Sequence, residues 1–475
     1  LSVVLWTRLE PDGGPLGTDQ DLVVDVAADP DFEDLVSSVV VTAPSEHGHS
    51  VHAIADGLES DSWYHYRFRL GDHVSATGRT RTTPTAAQSN DRLRVGVSSC
   101  QNWELGAFAA HRHLADSELD VFVFLGDYIY ENEPNEPTVT TAAGPRIHNG
   151  PEPTDLAGYR RRYSQYRSDP DLQAHHAAHP WVVVWDDHEV DNNYAGLVPS
   201  GGEASAHFAD RRHEAYRAWW EFMPVRFGPP DQAGLRIHRT IAWGDLADLH
   251  MLDGRQYRDP QPTDGEPVDI PGVGDLGAQA HGPTALDPDH TMLGSDQENW
   301  LVDQIAESTA RWQLIGNQVM MHGINAFPGD VPVTPTDTWD GYHGNRERLL
   351  ERLAGTSNLV VLTGDFHSAT IADLRSDPFD LTLPIVGSEL MAPAISSQFV
   401  EALRPIAPLA LAVNPQVHHF DPENGYIICD VGPDEVTAAL FILDDVTEER
   451  SGARMTARAT IIDGTPGIES VELIP

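Results

Sequence analysis

The chain contains no lysine: all 30 of its basic residues are arginine, set against 73 acidic residues for a net charge of −43. It has only two cysteines, Cys100 and Cys429, in unrelated contexts, so no disulfide framework organises the fold. Two buried thiols are the plain expectation for them. No run of about 18 apolar residues occurs, which excludes a helical membrane span. There are no internal repeats and no low-complexity stretch. The acidic residues are spread along the chain rather than gathered in a tail, and so form a solvated surface. Such a surface repels nucleic acid and anionic lipid, which excludes groove or membrane binding driven by charge. It equally repels phosphate, so an enzyme acting on anions here needs a locally positive site. Salt adaptation fits this balance, because at about 1 M salt the screening length falls to about 3 Å. A GC-rich genome accounts equally for part of the arginine bias.

What is present suffices for a core. The 475 residues are 40% hydrophobic and 8% aromatic, which suits one large domain plus a smaller one. No secretory leader is visible, but the chain opens inside a strand at Leu1-Ser2-Val3-Val4-Leu5-Trp6, so a removed upstream segment is expected.

Residues 1–85 read as an all-β domain. Val23–Val26, Ser38–Val41 and the strictly alternating Tyr64–Arg69 are short strands with turn residues at Gly57, Gly71 and Asp72, which suggests a small immunoglobulin- or fibronectin-like sandwich. Pro84–Asp91 is a polar linker. From 92 to 475 the pattern becomes α/β. Leu93–Ser98, Val121–Leu125, Trp181–Trp185 and Leu359–Thr363 are apolar strands, and the last three carry continuous apolar runs, as in strands buried on both faces. Helices are predicted over Leu105–Ala115, Arg211–Phe222, Gln297–Ser308 and Arg346–Leu353, with a capping box at Ser295 and Glu298. Segments 131–158 and 259–294 are long loops, and β-like runs return after about 425.

In α/β sheets the functional residues collect past the carboxyl ends of strands. Four strands here end in chemically loaded strings. Val121–Leu125 runs into Gly126-Asp127-Tyr128-Ile129-Tyr130. A carboxylate at the end of a buried strand with no cationic neighbour in sequence needs a cation, and Tyr130, three residues on, can reach the same point as a phenolate. Alone, the string is equally a helix N-cap aspartate beside a core tyrosine. Trp181–Trp185 runs into Asp186-Asp187-His188-Glu189, where His188 beside two carboxylates gains a raised pKa and suits general-acid duty; surface turn residues are the competing reading. Leu359–Thr363 runs into Gly364-Asp365-Phe366-His367, and alternation places Asp365 and His367 on one side. Cys100 follows Leu93–Ser98 with no histidine beside it, which favours metal ligation over a lone nucleophile. Oxygen, nitrogen and sulfur donors from four strand ends suggest two or more metals, with Asp127 as the natural bridge. Metals about 3.5–4 Å apart clamp a phosphoryl group and activate water. Arg255 and Arg258 follow a strand-like segment, and either one supplies a phosphate fork or a salt bridge to Asp253 or Asp259. His111, His113, His175, His176 and His179 read as solvated surface, and Trp219, Trp220 and Phe222 as one apolar helix face.

Taken in order, SVVLWTRL, GLESDSWYHYRFR, GRTRTTP, SSCQ, LGDYIYE, VWDDHEVDNN, WWEFMPVR, LDGRQYR, MLGSDQENWL, WQLIGNQV, WDGYHGNRERLL, VVLTGDFHSA, PAISS and NPQVHHFD resemble the PhoD-like alkaline phosphatases over nearly the whole chain. The resemblance implies a small N-terminal β-sandwich and a metallophosphoesterase core, a four-layer β-sandwich flanked by helices. It implies export, often by the twin-arginine route, and hydrolysis of phosphomonoesters and phosphodiesters, with a phospholipase D-type diesterase on lipid or teichoic-acid-like substrates as the alternative. It implies ferric iron at Cys100, Asp127, Tyr130 and His367, calcium (two ions) at Asp127, Asp187 and Asp365, and His188 as the acid that protonates the leaving alcohol. A non-catalytic metal-binding surface protein is the remaining alternative, but it predicts missing ligands and none is missing.

Overall fold

The computed structural model describes residues 1–475 except 11–16, 137–143, 269–277, 328, 330 and 406. The expected loops 131–158 and 259–294 therefore lie partly outside the described residues, and the first gives way to helix Leu156–Arg167 at its end.

The N-terminal strands are antiparallel. Gln20–Ala27 lies between Leu35–Ala43 and Trp63–Leu70, and Val3–Arg8 pairs with Ser50–Ala55. Alternation does the sorting: Val24, Val26, Tyr64 and Phe68 point into one small core with Leu5 and Val51. Residues Pro84–Asp91 form no strand or helix.

Two seven-stranded mixed sheets make most of the remainder, beside a short antiparallel pair, Gln279–Ala280 with Val333–Thr334. In the first, Trp181–Val183, Val121–Phe124 and Leu93–Ser98 run parallel. The late strands Gly425–Val431 and Glu435–Leu443 extend it antiparallel, so the C-terminal β runs complete the sheet begun by residue 93. In the second, Ala247–Met251, Trp312–Gly316, Leu359–Thr363 and Gly387–Met391 run parallel, with antiparallel strands at both edges. The sheets face each other. Leu314, Val360 and Leu362 share a core with Val95, Val97 and Phe124 of the first sheet. Their neighbours Ile315 and Val361 point the other way, onto helices Gly294–Glu307 and His343–Leu353. No helix among the described residues is long and apolar enough to cross a membrane.

Three local expectations need correction. The helix expected from Leu105 begins at Ala109, because Ala107 gives its amide to the carbonyl of Val446 at 2.8 Å instead of to a helical turn. The capping box does not form: the helix starts at Gly294, and Glu298 is buried, accepting from Asn345, Arg348 and Arg352. The histidines expected at the surface are mostly interior. His111 and His175 are fully buried and in contact at 3.0 Å, His179 is buried, and His176 stacks on Trp181. Helices Ala109–Ala115 and Pro170–Ala178 press these rings onto Phe122 and Trp181, and burial pushes the His111 pKa down to about 3, so the rings are neutral aromatic filling. Trp219, Trp220 and Phe222 are core, as expected.

Because Leu362 sits between the sheets at 2% exposure, Leu362→Ala leaves a cavity that neither sheet can close. The expected cost is about 2–5 kcal/mol, read as a lower denaturation midpoint with an unchanged m-value.

Candidate metal centre

Every strand-end string arrives at one place, and the backbone there is bent to deliver it. Cys100, Asp127, Asp365 and His367 all have left-handed backbone, with φ of 56°, 58°, 66° and 55°. Such conformations cost about 1–3 kcal/mol each in residues with a Cβ and persist only where surroundings over-determine them. Here hydrogen bonds between the strand ends do so. Cys100 and Gln101 donate to the carbonyls of Gly126 and Asp127, each at 3.0 Å, while Ser396 and Ser397 donate to the Cys100 carbonyl at 3.2 and 3.1 Å. Two glycines permit the close approach. A Cβ on Gly126, at φ +109°, would lie 2.5 Å from the Asp186 amide, and one on Gly364 would lie 2.3 Å from Ser99 Oγ.

The donor atoms converge. Those of Cys100, Asp127 and His367 lie within 4.8 Å of one another, and so do those of Asp127, Asp187 and His188, and of Asp186, Asp187 and Asp365. The Tyr130 hydroxyl donates to Asp127 Oδ2 at 2.9 Å, accepts from Ser397 at 2.7 Å and lies 3.2 Å from His367 Nε2. Cys100 Sγ sits beneath, 3.1 Å from Ser99 Oγ. A cleft of about 510 Å³ opens onto Asp127, Tyr130, Asp187, His188, Asp365 and His367.

The electrostatics are those of a site short of positive charge. Burial, aided by neighbouring carboxylates, pushes Asp127 and Asp365 well above the usual carboxylate range, and burial lifts the Cys100 thiol and Tyr130 phenol likewise. Asp186 rises to about 6, again chiefly by burial. Burial would raise Asp187 too, but Arg255 and His188 hold it low. Burial works against a charged His188, yet Glu131, Asp187 and Asp127 hold its pKa well above the ordinary imidazole value. His188 Nδ1 meets Glu131 Oε2 at 2.7 Å, and its ring stacks on Tyr130 with centroids 4.1 Å apart. A thiol, a phenol and carboxylates, all costly to ionise here, together with an imidazole that burial keeps neutral, form a donor set that a multivalent cation would satisfy.

Arg255 and Arg258 do not stand among the cleft-lining residues. Arg255, with a fully buried side chain, pairs with Asp186 and with Asp337 at 3.0 Å, and lies 3.7 and 3.6 Å from Asp187 and Asp365. Arg258 pairs with Asp337 at 2.7 Å and donates to the carbonyls of Tyr194 and Asn193. Neither pairs with Asp253 or Asp259, and both heads are enclosed by this network, so no phosphate fork is free. Sequence reasoning passed over Glu131, Glu189, Ser397, Asn193 and Asp337. Glu131 and Glu189 stand inside the strings already singled out, and Glu189 accepts the amides of Asp127, Tyr128 and Asp186 at 2.7–3.0 Å, bracing the loop. Ser397 closes the PAISS string, whereas Asp337 carries no local signal at all.

Comparison with known proteins agrees along the whole chain. Residues 95–440 match the family model described as PhoD-like phosphatase, and residues 1–84 match its N-terminal domain. Alkaline phosphatase D of Bacillus subtilis (strain 168) is 37% identical over 469 residues, covering 97% of this chain and 78% of that protein. A solved structure described as that of PhoD superposes with a TM-score of 0.92 at 34% identity, covering 100% of this chain and 90% of that one.

Gly126→Ala tests the strained loop. Clash with the Asp186 amide and an unfavourable φ are expected to cost about 1–3 kcal/mol or more and to displace Asp127, so thermal stability and bound-metal stoichiometry should fall together. Unchanged metal content would show that the loop tolerates the side chain.

Proposed function

The chain belongs to the PhoD-like phosphatase family and is a phosphoric ester hydrolase; we propose that it is an exported, metal-dependent phosphomonoesterase and phosphodiesterase whose cluster holds Fe3+ and Ca2+. The observation that carries this reading is the convergence of Cys100, Asp127, Tyr130 and His367 on one buried point, beside Asp187 and Asp365. Cys100, Asp127, Tyr130 and His367 would hold the ferric ion, since a phenolate is a hard donor that suits a trivalent, deprotonating cation. Asp127 would bridge to calcium, with Asp187 and Asp365 as hard oxygen ligands. When bound, the ions would hold phosphoryl oxygens and acidify an attacking water.

The chain's own residues supply the rest. His188, kept protonated by its carboxylate neighbours, has Nδ1 taken by Glu131 and Nε2 left to give a proton to the leaving alkoxide. Stacking on Tyr130 fixes the ring's direction. Arg255 is assigned as a positioning residue that spaces Asp186, Asp187, Asp337 and Asp365, and Arg258 as the brace of Asp337. Export by a twin-arginine leader rests on the family resemblance. The separate matches to residues 1–84 and 95–440 support a division into an N-terminal β-sandwich domain over 1–85 and a metallophosphoesterase domain of four-layer type over 92–475.

One observation favours a second reading, a phospholipase D-type diesterase. Phe366, Phe399 and Leu403 line both the cleft and an adjoining, wholly apolar recess with Ile324, Leu411 and Phe420, which suits an apolar alcohol or acyl chain.

Metal analysis with a visible spectrum tests the proposal. Iron and calcium should be found, with a tyrosinate-to-iron band that Tyr130→Phe abolishes. Hydrolysis of chromogenic mono- and diesters should be lost to chelation and fall by at least about 10² in His188→Ala. A colourless zinc protein would overturn the iron assignment. A large preference for a short-chain phosphatidylcholine over the chromogenic diester would move the lipid reading to the front.

A further inference from the structure

A second cleft, of about 680 Å³, lies between the N-terminal strands and the first sheet and shares no lining residue with the catalytic cleft. Its charge is opposite to that of the molecule. In a chain with 73 acidic and 30 basic residues, its lining carries Arg8, Arg79, Arg81, Arg167 and Arg226 against the single acid Glu10. Arg8 pairs with Glu10, and Arg81 with Asp61 and Asp120. The other three have no carboxylate partner among the described residues. Arg226 donates only to the backbone and hydroxyl of Ser2, at 2.7 and 2.8 Å, and Arg167 only to the Phe222 carbonyl, with its Nε buried and unpaired. No side-chain hydrogen bond is formed by Arg79 among the described residues.

Aromatic rings flank four of these heads, three of them most closely. The Arg79 guanidinium lies 3.7 Å from the Trp63 ring centroid, that of Arg167 4.3 Å from Trp6, and that of Arg8 4.6 Å from Phe222. A guanidinium stacked through its face keeps its N–H donors in plane, pre-oriented for an oxyanion, and loses little entropy on binding one. A surface at −43 repels anions elsewhere, so a cleft of reversed sign concentrates them.

We propose that this interdomain cleft is a second oxyanion site, taking a phosphate group either as free inorganic phosphate, the product of the reaction, or as part of a phosphorylated polymer. Both identities of the ligand rest on the phosphoesterase reading; the anion site itself does not.

The test is calorimetric titration of the full-length enzyme with inorganic phosphate and with a short polyphosphate, at two ionic strengths. In Asp127→Asn, which disables the catalytic centre, one salt-sensitive phosphate site should remain. Adding Arg79→Ala or Arg226→Ala should weaken it at least about tenfold, while Arg79→Ala alone leaves kcat of the otherwise wild-type enzyme unchanged. If Asp127→Asn does not fold, stoichiometry decides: two phosphates for the wild type and one for Arg79→Ala. Tighter binding of polyphosphate assigns the site to a polymeric ligand, and equal or weaker binding to free phosphate. The absence of binding in a folded Asp127→Asn, or affinity indifferent to both arginine substitutions, overturns the proposal even if hydrolysis proceeds as expected.

Discussion

Acidic donors packed beyond what their own surroundings can neutralise are the constraint on which this structure depends. Cys100, Asp127, Tyr130, Asp186 and Asp187 are each at most 2% exposed, with Asp365 alongside, and the cations among them are Arg255 and the His188 imidazolium. Water cannot solvate the charge and two cationic heads cannot balance it, so several groups hold their protons well above ordinary pKa values. A bound cation would turn this liability into an anion-binding centre. The same charge would attract a phosphoryl group that the acidic exterior turns away.

The fold around the cluster follows from delivering it. Parallel strands carry their carboxyl ends to one edge of each sheet, and two sheets packed face to face bring those edges together. The chain must then turn sharply at each strand end, which explains left-handed φ values at four ligand-bearing positions and glycine at 126 and 364, where a Cβ would strike the neighbouring strand end. Four of the ten left-handed non-glycine residues among the described residues are thus donors of the cluster, and the large apolar core between the sheets holds them there.

Apart from the His188 imidazolium, arginine carries the positive roles in a chain without lysine, and its planar fork suits them. Arg255 touches four carboxylates at once, which an ammonium could not do with the same directionality. Elsewhere the guanidinium serves as a flat aromatic partner, over Trp63, Trp6 and Trp103.

Much of this was legible in one dimension, because apolar runs of strand length followed by Gly-Asp or Asp-Asp-His are local signals. The strand ends, the donor types, the α/β pattern after residue 92 and the family all follow from adjacency in sequence. What depended on distant residues was not legible. The interior histidines read as polar surface because only helix packing on Phe122 and Trp181 removes them from water. Glu298 read as a cap because its partners Asn345, Arg348 and Arg352 lie far along the chain. Arg255 stood between a phosphate fork and a salt bridge to Asp253 or Asp259 because its actual partners, Asp186 and Asp337, come from other segments. The sequence by itself determined which groups could ligate a metal and which strands would present them, since both are properties of neighbouring residues. Only the tertiary structure decided which charges neutralise each other, since Coulomb energy depends on distance in space and on burial, neither of which is written locally in the chain.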